Sequence, residues 1–125
     1  MPVIVGVALG GAVGASARWL LDRFIEERSD SIFPWSTFTI NVTGCFLIGI
    51  LTEQLVDRHH IPAWIRVGAI VGVLGGYTTF STFSQETLGL LETPHDVPVA
   101  LVYAAGSVAV GVLGVYAGVV LGRAF

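Results

Sequence analysis

Residues 75–86 read GGYTTFSTFSQE and lie inside a long apolar stretch. Five hydroxyl side chains fall within seven positions of this segment: Thr78, Thr79, Ser81, Thr82 and Ser84. In an apolar setting, hydroxyls can satisfy backbone groups released where a helix is interrupted, or they can line a polar path for an ion. The segment therefore predicts a helix break, and as a group the hydroxyls exceed what repair of the backbone needs.

Two phenylalanines separate these hydroxyls. Phe80 and Phe83 are three residues apart, so they share one face of a helix. Ordinary packing is one interpretation. The other uses the ring quadrupole, because the positive ring edge can stabilise an anion. The pattern therefore leaves open an anion path along this face.

Polar residues on two other apolar stretches could complete such a path. Asn41 lies in the run TFTINVTGCFLIG, and Thr37 precedes it by one helical turn. A buried amide in lipid needs a partner, either another helix or a bound anion. Tyr103 and Ser107 are also four residues apart, on one helical face.

The composition indicates a membrane protein. The chain has 125 residues, of which 54% are hydrophobic and only 12% charged, against about 25% charged in soluble domains. The net charge of -3, with no lysine, excludes a basic nucleic-acid surface. Cys45 is the only cysteine, which excludes an intrachain disulfide.

Four apolar segments approach the length that spans a bilayer. We expect an all-α, single integral membrane domain over residues 1–125, with helices at approximately 3–21, 33–55, 63–91 and 97–121. Short polar links make neighbouring helices antiparallel. Ala15-Ser16-Ala17 resembles a signal-peptide cleavage site, but no basic residue precedes the first segment, so we interpret it as a retained helix.

The third segment is too long for one straight span. From Ala63 to Leu91 it would measure about 43 Å, against about 30 Å for the hydrocarbon core. We expect a break near residues 75–79, with Gly75-Gly76 as the natural place to interrupt the helix. Gly76, Thr79 and Glu86 are expected to support the broken backbone. Such a break has to face protein, water or an ion.

Glycine spacing and arginine counts predict assembly. Glycines recur every four residues in the first and fourth segments, which lets helices approach closely in lipid: Gly6, Gly10, Gly14, Gly114, Gly118 and Gly122. Three arginines fall on each side of a four-span chain, so there is almost no orientation bias. This balance favours an antiparallel dimer. Arg18, at the end of the first glycine row, either extends to the interface or attracts anions to a vestibule.

The segment GGYTTFSTFSQE, Asn41 within TFTINVTGCFLIG, and GGAVGASARW together resemble the Fluc (CrcB) fluoride channels across all four helices. The resemblance implies an antiparallel dual-topology homodimer with two anion pores in a bacterial or archaeal plasma membrane. It implies passive, fluoride-selective conduction that lets cytoplasmic fluoride leave the cell, and no enzymatic activity.

The resemblance also implies roles for individual residues. A structural sodium ion at the dimer centre would be held by backbone carbonyls of Gly75 and Thr78. Asn41, Phe80 and Phe83 would line the pore, and Arg18 the vestibule. We expect further pore contacts from other polar side chains: Thr37, Ser81, Thr82, Ser84, Tyr103 and Ser107.

Four other classes compete with this interpretation. A small multidrug exporter needs a membrane-embedded acid, typically in the first helix, and none is present there. A cation channel could also use carbonyls at a broken helix. The glycine rows would suit a non-transporting assembly subunit. A metalloenzyme is disfavoured because the adjacent loop residues His59 and His60 make a poor ligand set.

Overall fold

The computed structural model describes residues 1–125 and contains helices without strands. Helix α1 spans Val3–Glu26 and α2 spans Trp35–Leu55. The third span comprises α3 (Ala63–Val67), a π-helix (Gly68–Leu74), α4 (Gly75–Tyr77) and α5 (Phe80–Leu91). A 3₁₀ turn (Pro94–Asp96) leads into α6 (Val97–Arg123). The prediction of four helices long and apolar enough to cross a membrane is confirmed.

Proline sets where several of these helices begin. Pro2, Pro34 and Pro62 each immediately precede a helix, in keeping with proline's tolerance at helix starts. The first helix continues to Glu26, five residues past the expected end at Leu21. An ion pair between Arg23 and Glu27, 2.9 Å long, joins successive turns at this end.

The glycine row of α1 forms a close contact with the third span. A methyl group added at Gly6, Gly10 or Gly14 would lie 2.0–2.2 Å from a backbone oxygen of that span. The two backbones therefore touch, as they can only where side chains are absent. This contact fixes the third span against α1.

A second glycine seam joins α2 to α6. A Cβ atom at Gly49 would lie 2.3 Å from the Val115 carbonyl oxygen, and one at Gly118 would lie 2.1 Å from that of Phe46. Gly114 has a looser contact, at 3.4 Å from the Val42 carbonyl oxygen. The predicted glycine interfaces are therefore present, and they divide the molecule into two tightly packed helix pairs.

The first seam gives a direct test of packing. Gly10→Ala would bring its methyl group within 2.2 Å of the Gly68 carbonyl oxygen, an overpacking that costs about 1–3 kcal/mol. Gly11→Ala is the matched control, because nothing lies within 4 Å of its Cβ position. We expect thermal unfolding in detergent to occur at lower temperature for Gly10→Ala only. Equal stability of the two variants would contradict the close contact.

Candidate functional site

The third span leaves helical geometry at Thr78 and Thr79. Their φ and ψ angles are −82° and 158° for Thr78, and −148° and 114° for Thr79. The interruption therefore lies within the expected stretch 75–79, but at its two threonines, because Gly75 and Gly76 are themselves helical. Gly76 instead serves packing, since an added Cβ would lie 2.8 Å from the Gly11 carbonyl oxygen.

Asn41 of α2 is hydrogen-bonded to both polar groups of the Thr79 backbone. The Asn41 Nδ2 group donates to the Thr79 carbonyl at 2.9 Å, and the Thr79 N–H donates to Asn41 Oδ1 at 2.8 Å. Polar backbone groups within a membrane need partners inside the protein. This side chain therefore satisfies the extended backbone from a neighbouring helix, and one of its two N–H donors has no partner in this pair.

The hydroxyl of Thr79 begins the next helix. It accepts a hydrogen bond from the Thr82 N–H at 3.2 Å, which is N-terminal capping of α5. The hydroxyls of Ser81 and Thr82 lie 3.3 and 3.1 Å from the same oxygen. Much of the hydroxyl cluster thus bonds to itself and to the start of α5.

The remaining hydroxyls of the segment bond to the backbone of the preceding turn. Thr78 Oγ1 donates to the Leu74 carbonyl at 3.0 Å, and Ser84 Oγ donates to the Phe80 carbonyl at 2.9 Å. These contacts are the backbone-satisfying role that the sequence left open beside the ion-path role.

The hydrogen bonds around the break free two particular carbonyls. In a continuous helix, the Thr79 N–H would bond to the Gly75 carbonyl and the Thr82 N–H to the Thr78 carbonyl. Here the first N–H goes to Asn41 and the second to the Thr79 hydroxyl. No side-chain donor, and none of the backbone N–H groups that bond outside the helices, takes their place at the Gly75 or Thr78 carbonyl. These are the two carbonyls that the family resemblance implies as ligands of a sodium ion.

Tyr77 supplies a second link between α2 and the break, which the sequence did not reveal. Its hydroxyl lies 2.8 Å from Thr43 Oγ1. The single Thr43 hydroxyl proton is directed at the Thr39 and Ile40 carbonyls, so the tyrosine donates. Positions 34 residues apart pair here, and no local spacing signals the pairing.

A cavity of about 520 Å³ opens beside the break. We call it the inner cavity. Its lining includes Asn41, Gly75, Thr78, Phe80, Phe83 and Ser107. The structure therefore brings together the amide, both phenylalanines, both free carbonyls and one hydroxyl of α6. Ser81, Thr82, Ser84 and Arg18 do not line it. Arg18 is half-buried and has no ion pair.

The two phenylalanine rings are neighbours, and one of them reaches α6. Their centroids are 5.8 Å apart with planes at 40°. Phe83 also lies 5.1 Å from the ring of Tyr103. Phe80 is 79% exposed in the single chain, so its ring projects from the helix bundle.

Two hydroxyls of α6 are buried without partners. Neither Tyr103 Oη nor Ser107 Oγ makes a hydrogen bond, and Tyr103 is 0% exposed. A buried hydroxyl without a partner costs about 1–3 kcal/mol. Of the predicted pore hydroxyls, these two have no hydrogen-bond partner, whereas Thr37 and Ser84 donate to other groups and Ser81 and Thr82 are bonded to the Thr79 hydroxyl.

A second cavity, of about 300 Å³, lies at the end of the molecule where α1 ends and α2 begins. We call it the outer cavity. Its lining includes Glu26, Phe33, Trp35, Ser36 and Glu86. Ser36 is buried, and its hydroxyl donates to the Asp22 carboxylate of α1. Neither Ser36 nor Asp22 was predicted, because the two positions share no helix and no motif.

Glu86 lies at this outer cavity and not at the break. Its carboxylate accepts a hydrogen bond from the buried hydroxyl of Thr37 on α2. Thr79 already provides the cap of α5. The expectation that Glu86 supports the broken helix is therefore corrected, and Thr37 is committed to that carboxylate.

A family model and several known proteins match nearly the whole length of the chain. A family model described as CrcB-like protein, Camphor Resistance (CrcB), matches residues 5–119. A fluoride-specific ion channel FluC of Acidobacterium capsulatum is 48% identical over 119 residues, covering 94% of this chain and 93% of the relative. The channel of the same name from Rhizobium meliloti is 43% identical over 121 residues, covering 97% and 96%. That of Bordetella petrii is 45% identical over 114 residues, covering 88% and 86%.

Proposed function

This chain belongs to the CrcB-like family, a family of ion channels and not of enzymes, and we propose that it conducts fluoride selectively across the membrane. The chain is a multi-pass membrane protein. The observation that carries the proposal is the inner cavity, where an amide, two phenylalanine rings and an unpartnered hydroxyl meet without a charged group.

These groups suit a small, strongly hydrated anion. Fluoride leaves water only when other donors replace its hydration shell. Ring edges, one Asn41 N–H and the Ser107 hydroxyl supply positive potential or a proton without a fixed cation that would hold the ion too tightly. Passage then depends on many weak contacts, which lets the ion enter and leave.

The direction of transport follows from acid–base chemistry. In acidic surroundings fluoride enters as the neutral acid, which crosses lipid and ionises in the cytoplasm. A passive channel lets the accumulated anion leave the cell down its electrochemical gradient. No coupled proton or nucleotide is required for this role.

The proposal is tested by changing the inner cavity and measuring fluoride efflux from proteoliposomes, with chloride as the comparison anion. Phe80→Ile and Phe83→Ile keep apolar bulk but remove the quadrupole. Asn41→Asp keeps an acceptor for the Thr79 N–H, removes the donor to the Thr79 carbonyl, and can place a negative charge beside the path. We expect each variant to fold and to lose flux, about tenfold for every 1.4 kcal/mol added to the barrier.

Val13→Ile is the matched control, because Val13 is 60% exposed on α1 and lies outside the inner cavity. It should conduct at nearly the parental rate. Monodisperse isoleucine variants at both phenylalanine positions that conduct like the parent would contradict the role of the rings.

A second copy of the chain is proposed to cover the inner cavity. Phe80 and Val71 are 79% and 56% exposed, and nothing lies within 4 Å of a Cβ built at Gly75. Lipid offers no hydrogen-bond partner for the polar groups beside them. With arginines balanced between the two sides, an antiparallel partner is favoured, and the two-fold symmetry of such a dimer gives two pores.

Orientation in the membrane tests this arrangement. An epitope tag placed after Phe125 should be accessible from both sides of the membrane in similar amounts. Protease protection in sealed inverted vesicles, followed by immunoblotting of the tag, measures the two populations. A tag that is protected in essentially all copies, or in essentially none, would reject the antiparallel dimer.

The free carbonyls at the break suit a structural sodium ion. Gly75 and Thr78 offer neutral oxygen atoms, the ligand type that hard monovalent cations prefer. A copy related by two-fold symmetry would add the same two carbonyls. The ion would then be coordinated by four carbonyl oxygens at the dimer centre. We expect it to stay bound there as a structural ion and not to pass through the membrane.

Diffraction with a heavier monovalent cation in place of sodium checks this position. Anomalous signal is expected between the Gly75 and Thr78 carbonyls of the two copies. Density with the coordination of water at this place, unchanged by the cation supplied, would reject the sodium site.

A further inference from the structure

The inner and outer cavities are separate, yet a row of aromatic rings joins them. Phe83 lines the inner cavity and Phe33 lines the outer cavity. Tyr103 contacts both rings, with centroids 5.1 Å from Phe83 and 5.4 Å from Phe33. Tyr103 is fully buried and lines neither cavity, so it lies in the wall between them.

Phe33 meets Tyr103 at a specific angle. Their ring planes are inclined at 79°, an edge-to-face arrangement in which the positive rim of one ring meets the negative face of the other. This contact restricts rotation of the tyrosine ring. The orientation of the unpartnered Tyr103 hydroxyl therefore depends on Phe33.

The backbone holds Phe33 in place even though it lies outside any helix. Its N–H donates to the Ser31 hydroxyl at 3.2 Å, and its carbonyl accepts from the Trp35 N–H at 2.8 Å. Trp35 and Phe38 pack on the same ring, at 4.5 and 5.5 Å. The ring is thus supported on the side of the α1–α2 connection.

The charged groups that line the outer cavity are all acidic, which limits the groups that can stabilise an anion there. Glu26 and Glu86 line this cavity, and no arginine or histidine does. A third carboxylate, that of Asp22, accepts a hydrogen bond from the buried Ser36 hydroxyl, and Ser36 lines this cavity. An anion in this cavity therefore meets carboxylates, and favourable electrostatic contacts have to come from ring edges, hydroxyls and backbone N–H groups.

On the basis of the proposed fluoride conduction, we propose that Phe33 is a positioning residue for the anion path. It holds the Tyr103 ring so that the buried hydroxyl receives the anion between the inner and outer cavities. The path therefore runs from Phe80 and Phe83 past Tyr103 to the cavity at the start of α2.

The experiment measures the fluoride efflux rate per active channel in sparsely reconstituted liposomes, together with the fraction of liposomes that are active. Phe33→Leu is expected to lower the rate per active channel by about tenfold while the active fraction stays near the parental value. A merely structural defect would lower the active fraction and leave the rate per channel unchanged. Phe33→Tyr keeps the ring and should restore most of the rate.

Phe24→Leu is the matched control, because Phe24 is 54% exposed on α1 and lines neither cavity. It should conduct like the parent. If Phe33→Leu is poorly folded, Phe33→Met, which conserves volume, is measured instead. A parental rate in the leucine or methionine variant, or equal losses in the Phe33 and Phe24 variants, would overturn the role of Phe33. A parent without fluoride flux would instead reject the proposed function.

Discussion

The paired hydrogen bonds between Asn41 and the Thr79 backbone are the constraint on which the site depends. Two extended residues in a membrane-spanning segment expose N–H and C=O groups that lipid cannot satisfy. Asn41 satisfies both groups of Thr79 from a neighbouring helix. Because it takes the N–H that would close on Gly75, the same contact that stabilises the break also leaves a carbonyl free.

The glycine seams explain how so short a chain holds this arrangement rigidly. Backbone contact at Gly10 fixes the third span against α1, and backbone contact at Gly118 fixes α6 against α2. The break therefore lies on the third span where its helix pair faces the pair of α2 and α6. Small displacements are costly in such packing, which suits a path whose donors have to stay in register with a small ion.

The sequence anticipated much of this arrangement because its signals are local. Apolar length marks the four spans, and glycines at every fourth position mark the two seams. Pairing between distant positions has no such signal. The extended backbone at Thr79 is stabilised by Asn41, 38 positions away, so the glycine pair Gly75-Gly76 could not locate the break. Glu86 is hydrogen-bonded to Thr37, 49 positions away, so its place next to the motif in the sequence could not locate its side chain. The number of hydroxyls in the motif was also an ambiguous signal. Several of them make hydrogen bonds at the start of α5, and the hydroxyls without partners are on α6.

We propose that the uncharged cavity beside the break selects fluoride over other anions. The reversal potential of purified protein in a planar bilayer, measured with opposing fluoride and chloride gradients, tests it most directly. We expect a reversal potential that follows the fluoride equilibrium potential and does not move when chloride is varied. A potential that follows chloride, or a current carried by cations, would contradict it.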